Sequence, residues 1–195
     1  MLGLINRSIQ CFVRDTYGEA AWNRIAGAAG LGFTSFEALM TYPDEMTQRV
    51  VETACEVLSK PRDTLLEDMG TYLVSTPERE GVRRLLRFGG ETFVDFLFSL
   101  EDLQARARLA VPGLVLPEIS TTEHANGNLT IRCRSCRAGF GYVMMGVLRA
   151  MADDYGALVF LEYAGVENGE EVVSVQLLDA AFAEARSFTL APGGA

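Results

Sequence analysis

The chain has 195 residues, 49% of them apolar, with a formal net charge of −9 and an isoelectric point near 4.7. That length suits one domain of ordinary size with a sizeable core, and the apolar share excludes a disordered chain. The acidic balance argues against nucleic acid or an anionic membrane surface as the main partner, and no run of eighteen apolar residues provides a membrane span. The opening MLGLINRSIQCFVRD lacks the basic, apolar and small-residue order of a signal peptide, so the reading is cytoplasmic. Cys11, Cys55, Cys133 and Cys136 then read as free thiols.

Leu2, Leu4, Ile5, Ile9, Phe12 and Val13 form a helical stripe that ends at Asp15–Gly18. A second short helix is predicted over 19–28 with Trp22 and Ile25 inward, followed by a turn region containing Gly27, Gly30 and Gly32. Pro43–Asp44 opens a helix near Glu45 whose inward residues are Met46, Val50, Val51, Ala54 and Leu58. Pro61 suits the first turn of the next helix, which runs through Leu65, Leu66, Met69, Tyr72 and Leu73. Thr76 caps a further helix over 77–88, broken by Gly89–Gly90.

In the stretch from Gly90 to Pro117, Phe93, Phe96, Leu97, Leu100, Leu103 and Ala107 recur at spacings of three and four, one face of an amphipathic helix. Phe98 and Leu109 widen that face, while Glu101, Asp102, Arg106 and Arg108 mark the wet side. Gln104, beside Leu103 and Ala107, turns an amide toward the interior or a pocket. Left unpaired there it would cost roughly 1–3 kcal/mol, so it either caps a neighbouring carbonyl or meets a ligand.

After Pro112 the texture changes. Leu114–Leu116 reads as extended, and Asn126–Gly127 is a hairpin signal. Leu129, Ile131, Cys133 and Ser135 alternate with Thr130, Arg132 and Arg134 as in a strand. Helical spacing returns over 141–153, with Gly156 as its stop. Strands over 157–163 and 171–178 make a hairpin of five or six residues per arm, 188–190 adds an edge strand, and 191–195 is a tail. The class is α+β: a helical part over about 1–110, then a small antiparallel sheet with one helix over about 111–190, in a single domain.

The run FLFSLEDLQARARLAVPGLVLP resembles the proximal helix of heme-nitric oxide/oxygen binding (H-NOX) domains, in which Leu-Asp-x-Leu-His carries the axial ligand of a heme iron. Gln104 stands at the His position. The resemblance extends through MLGLINRSIQCFVRDTYGEAAWNRI, through Tyr42-Pro43-Asp44 and Gly70, and through LLRFGGETFVDFL, so it covers nearly the whole chain in order. It also reaches Cys133-Arg134-Ser135-Cys136-Arg137, which resembles the family's Tyr-x-Ser-x-Arg propionate clamp with Cys133 in place of the tyrosine.

The resemblance implies an H-NOX fold with a heme b pocket between the two parts. It implies Gln104 on the iron side, as the metal-facing residue, and Ser135 and Arg137 at the propionates, with Ile5, Ile9 and Val143 as apolar wall and Pro112 against the macrocycle. Pro117 competes with Pro112, and Tyr142 with Val143. An amide oxygen is a far poorer iron ligand than imidazole. The implied function is a heme-based nitric oxide sensor domain without the usual bond to iron. It would not be an enzyme, and its partner would be a signalling protein such as a histidine kinase or a cyclic-dinucleotide enzyme. The alternatives are a heme-free interaction module of the same fold and a thiol redox sensor using Cys133 and Cys136. Read from the residues alone, Arg132, Arg134 and Arg137 make a basic strand edge paired with surface carboxylates, and His124 is a solvated turn residue. Cys11 and Cys55 read as small core residues.

Overall fold

The apolar stripe at the start of the chain forms the helix Gly3–Tyr17 (α1), with Ile9, Phe12 and Val13 buried. The computed structural model describes residues 1–76, 80–134 and 138–186. It divides into two units, Met1–Met69 and Gly70–Ala195. Pro77, Ser135, Cys136, Arg137, the predicted edge strand over 188–190 and the tail from 191 lie outside the described residues.

In the first unit α1 is followed by Glu19–Ala28 (α2), Asp44–Leu58 (α3) and the start of Arg62–Ser75 (α4). Trp22, Ile25, Phe36, Val50 and Ala54 are fully buried. Between α2 and α3 the backbone is not helical, and side chains satisfy it. Trp22 Nε1 donates to the Thr34 carbonyl at 2.6 Å, and Phe36 N donates to Gln10 Oε1 at 2.9 Å. The buried Thr47 hydroxyl donates to Asn6 Oδ1 at 2.6 Å. On α3 it is Thr47 that is buried, where the stripe predicted Met46 and Leu58; those two are half-buried. Cys11 and Cys55 are also half-buried rather than core.

The second unit carries Glu80–Arg87 (α5), Phe93–Ser99 (α6), a 3₁₀ turn Leu100–Asp102 and Leu103–Ala110 (α7). It continues with strands Glu118–Glu123 (β1) and Leu129–Arg134 (β2), helix Phe140–Tyr155 (α8), and strands Leu158–Glu167 (β3) and Glu170–Asp179 (β4). The strands form one antiparallel sheet in the order β1-β2-β4-β3. Alternation holds on β2: Leu129, Ile131 and Cys133 are buried in the core with Val173, Val175 and residues of α8 such as Met144 and Leu148. Arg132 and Arg134 leave on the other face and pair with Glu167 at 2.9 Å and Glu170 at 2.7 Å, the arrangement expected of a basic strand edge.

Three expectations are corrected. The β3–β4 hairpin has ten residues per arm, joined at Asn168–Gly169, because the apolar alternation that marked five or six continues past a bulge at Tyr163/Gly165. Leu114–Leu116 is not a strand; the pairing strand is β1, whose polar sequence EISTTE buries only Ile119. The helix predicted from Phe93 through Ala107 is broken by the 3₁₀ turn. Thr121 of β1 accounts for the break. Its hydroxyl donates to the Leu97 carbonyl at 2.8 Å, and its N–H donates to Glu101 at 2.9 Å. A side chain that takes a carbonyl from the helical ladder is a recognised cause of such a break.

Candidate functional site

Thr92 and Asp95 form a reciprocal capping box that starts α6, and Phe93, Phe96 and Leu97 bury its inner face. After the 3₁₀ turn, α7 buries Leu103 and Ala107 and leaves Gln104 half-buried between them. Among the described residues no hydrogen bond reaches the Gln104 amide, so the carbonyl-capping alternative for this residue has no support. Two residues on, Arg106 is half-buried rather than on the wet side. Its Nη1 donates to the Leu85 carbonyl of α5 at 2.8 Å and its Nη2 to the Ser99 carbonyl at 2.7 Å, which ties α7 back to α5 and α6. Burial lowers its pKa, only partly offset by Asp102 and Tyr155. Phe98 and Leu109, expected to widen the apolar face, are 41% and 88% exposed.

At the junction of β2 with α8, a buried carboxylate organises the backbone. Glu171 on β4 pairs with Cys133 across the ladder and is 6% exposed. Its Oε1 accepts from Gly139 N at 2.8 Å and from the Tyr163 hydroxyl at 3.0 Å, and its Oε2 accepts from Gly141 N at 3.1 Å. The N-terminus of α8 is therefore capped by a side chain from the sheet, with the negative charge at the positive end of the helix dipole. Gly141 lets the two elements approach: a Cβ there would lie 2.7 Å from the Tyr163 ring and 3.2 Å from Glu171 Cβ. Tyr163 stacks on Tyr142 with ring centroids 4.1 Å apart. Desolvation, with the Glu171 hydrogen bond and charge, pushes the Tyr163 hydroxyl up to about 12. The Cys133 thiol, fully buried, is pushed up to about 12 by desolvation and then by Glu171 and Glu170.

The remaining sequence-predicted residues lie on several elements. Val143 is half-buried on α8, and its carbonyl abuts Gly70, where a Cβ would collide with it. Pro112 is exposed in the turn after α7, and Pro117 is half-buried. Ile5 and Ile9 are on α1 of the first unit, half-buried and buried respectively. His124 sits exposed in the β1–β2 turn with its Nε2 2.7 Å from Thr130 Oγ1. Ser135 and Arg137 fall outside the described residues. Glu171 and Tyr163 were not singled out from the sequence, and Arg106 was read as a wet-side charge. A lone glutamate among strand residues and an arginine next to other charges carry no local signal.

The haem-NO-binding (HNOB) family profile matches residues 2–162. The chain belongs to this family. Among curated relatives of the H-NOX chain, soluble guanylate cyclase gcy-31 of Caenorhabditis elegans is 25% identical over 169 residues, covering 86% of this chain and 24% of the relative. Soluble guanylate cyclase 89Da of Drosophila melanogaster is 23% identical over 163 residues, covering 84% and 24%. The H-NOX chain thus spans about a quarter of the length of these relatives. Among solved structures, an H-NOX protein from S. oneidensis in the Fe(II)NO ligation state matches with a TM-score of 0.77 at 14% identity, over 92% of this chain and all of that one. An oxygen-binding H-NOX domain related to soluble guanylate cyclases, in its oxygen complex, matches with a TM-score of 0.71 at 16% identity, over 96% of this chain and all of that one. At these identities the structures bear on the fold alone, and the α+β H-NOX fold expected from the sequence is the one observed.

Proposed function

We propose that this H-NOX domain binds a heme b through its macrocycle and carboxylates and works as a gas-sensing signalling module without a strong protein bond to iron. The observation that carries the second half of this reading is Gln104. The residue at the family's His position is a half-buried amide on α7 with no described hydrogen-bond partner. The donor set fits a porphyrin held by area and charge rather than by a metal–nitrogen bond. The only imidazole, His124, is exposed and engaged with Thr130, and among the described residues no group of three potential metal ligands exists. Desolvation pushes the Cys133 thiol up, so it is protonated at neutral pH.

In this reading Gln104 faces the iron side, Ile5, Ile9 and Val143 supply apolar wall, Pro112 lies along the macrocycle, and Ser135 and Arg137 clamp the propionates. Cys133 stands at the position of the clamp's tyrosine. An arginine fork gives a carboxylate two charge-assisted bonds, which suits it to that edge. The bound group would supply an iron centre for a diatomic gas. The residues of α7 decide how that event is relayed. With no strong bond between Gln104 and iron to break, α7 would rest in a released-like position, and occupancy of the pocket would carry the signal. A ligand moves an equilibrium only by its differential affinity for the two states, so α7 must be packed differently with and without the ligand. The partner reading α7 would be a signalling enzyme of the histidine kinase or cyclic-dinucleotide type, in the cytoplasm; the curated relatives of this chain are named as guanylate cyclases. Among the described residues no helix is long and apolar enough to cross a membrane.

Hemin titration followed by absorbance tests the reading. Saturable binding of one hemin per chain is expected, with a spectrum that changes to a nitrogen-ligated form in Gln104→His. If hemin associates only weakly and without saturation, the heme-free interaction module becomes the better account, and the fold alone is retained. The redox-sensor alternative finds no support at Cys133, because a buried thiol beside two carboxylates is the opposite of a reactive one.

A further inference from the structure

We infer that Thr121 is the positioning residue for Gln104: by holding the 3₁₀ turn between α6 and α7, it sets which face of α7 the amide occupies. The consequence for the iron side rests on the heme-binding reading above, whereas the geometry stands on its own. The turn spans three residues, Leu100–Asp102. A 3₁₀ helix has three residues per turn where an α-helix has 3.6, so a turn of this length rotates everything beyond it by about 60° more than a regular helix would.

That rotation accounts for the burial along α7. On a regular helix starting at Phe93, Gln104 would fall about 20° from Phe93 and from Leu97, inside the apolar stripe, and Arg106 would point about 140° from Phe93, to the wet side. With about 60° added, Leu103 comes to about 20° from Phe93, Gln104 moves out to about 80°, and Arg106 comes in to about 80° on the opposite flank. The structure shows the second pattern. Leu103 and Ala107 are buried, Gln104 and Arg106 are both half-buried, and Arg106 Nη2 donates to the Ser99 carbonyl at 2.7 Å. An amide less buried than the stripe implied and a guanidinium more buried thus have one cause.

Nothing between Phe93 and Ala110 itself calls for the turn, since the stretch holds no glycine or proline and opens on the Thr92–Asp95 capping box. The cause comes from β1. The Thr121 hydroxyl donates to the Leu97 carbonyl at 2.8 Å, and the Thr121 N–H donates to Glu101 at 2.9 Å. Thr121 is itself fixed to the sheet opposite Ile131. Without these two contacts the local sequence favours the regular helix, in which residue 104 turns onto the buried face.

A thiol at position 104 reads the register. Gln104→Cys is made in the full chain without added hemin, and its alkylation by iodoacetamide is followed by site-resolved mass spectrometry with and without Thr121→Val. That substitution keeps the branched shape and removes the hydroxyl; loss of one hydrogen bond shifts the ratio of two conformers by roughly two- to tenfold. The thiol at 104 should therefore react roughly two- to tenfold more slowly in Thr121→Val, because it turns inward. Thr121→Ser, which keeps the donor, should restore the rate. A general stabilising role for Thr121 predicts the opposite sign, since a loosened α7 exposes the thiol and speeds alkylation. Faster or unchanged alkylation overturns the positioning role. Glu101→Ala, a change at an exposed side chain that removes the second contact, should slow the reaction in the same direction, and it decides the matter if Thr121→Val does not fold. Failure of the unsubstituted protein to bind hemin overturns the heme-binding reading, while the alkylation rates still decide what Thr121 does.

Discussion

Arg106 offers the sharpest test of how α7 is held. Its guanidinium bridges the Leu85 carbonyl at 2.8 Å and the Ser99 carbonyl at 2.7 Å, with a weaker contact to the Ser99 hydroxyl at 3.3 Å. A hydrogen bond from a charged donor contributes roughly 1.5–3 kcal/mol, so the two short bonds amount to about 3–6 kcal/mol gross. Against that stands desolvation of a cation whose Nε has no partner among the described residues. Arg106→Met keeps the apolar stem and removes both bonds, for a net loss of about 2–4 kcal/mol. For a chain of this size each kcal/mol corresponds to roughly 2–4 °C, so the melting temperature should fall by about 5–15 °C. Thermal unfolding followed by far-ultraviolet circular dichroism measures it, with Arg106→Lys as the control expected to recover only part. Should Arg106→Met melt within about 1 °C of the unsubstituted protein, the clasp between α7 and α5 contributes nothing and the accounting above is wrong.

Asp154, 1% exposed near the end of α8, takes Arg83 at 2.6 Å and Arg87 at 3.5 Å. Asp154→Ala should cost about 3–5 kcal/mol in urea denaturation, because it leaves guanidinium charge largely buried without its carboxylate. Site-resolved alkylation with iodoacetamide at pH 8 should modify Cys11 and Cys55, which are half-buried, far faster than Cys133. The same thiol sets an alkaline limit. From an ordinary value of 9.0 it is pushed up to about 12 in the folded chain, so between these values only the unfolded chain has lost the proton. Stability is unaffected below about pH 9 and falls as pH rises through the window, and Cys133→Ala should reduce the slope seen in denaturation at pH 9 to 11. Metal-free protoporphyrin should bind nearly as well as hemin to the unsubstituted protein but markedly less well than hemin to Gln104→His; a strong preference for hemin in both would mean that iron has a ligand other than residue 104.

Helix positions were legible where amphipathic spacing and a stop signal coincide. Glu19–Ala28 lies between Gly18 and the Gly30 turn and is found where the sequence put it, and Gly156 ends α8 in the left-handed conformation only glycine adopts freely. Legibility failed where a distant residue rewrote local structure. Nothing near Leu100 announces a 3₁₀ turn, since its cause, Thr121, lies on a strand too polar to be recognised as one. Arg106 was misplaced because a charged residue beside a buried stripe reads as solvated until the carbonyls it reaches, on α5 and at the end of α6, are known. At the candidate site the order Cys133, Ser135, Arg137 and the Gln104 substitution were readable as motif positions. The Glu171 carboxylate that caps α8 was not.

Membership of the H-NOX family, the sequence of helices and strands, and the absence of imidazole at position 104 are properties of the chain itself, because they rest on residue type and local spacing. Tertiary structure alone decided that Glu171 caps α8, that Cys133 is buried, and that α7 hangs from Arg106. Each of those depends on which groups lose water together and which orphan backbone donor or carbonyl comes within reach of a distant side chain, and no local spacing encodes that.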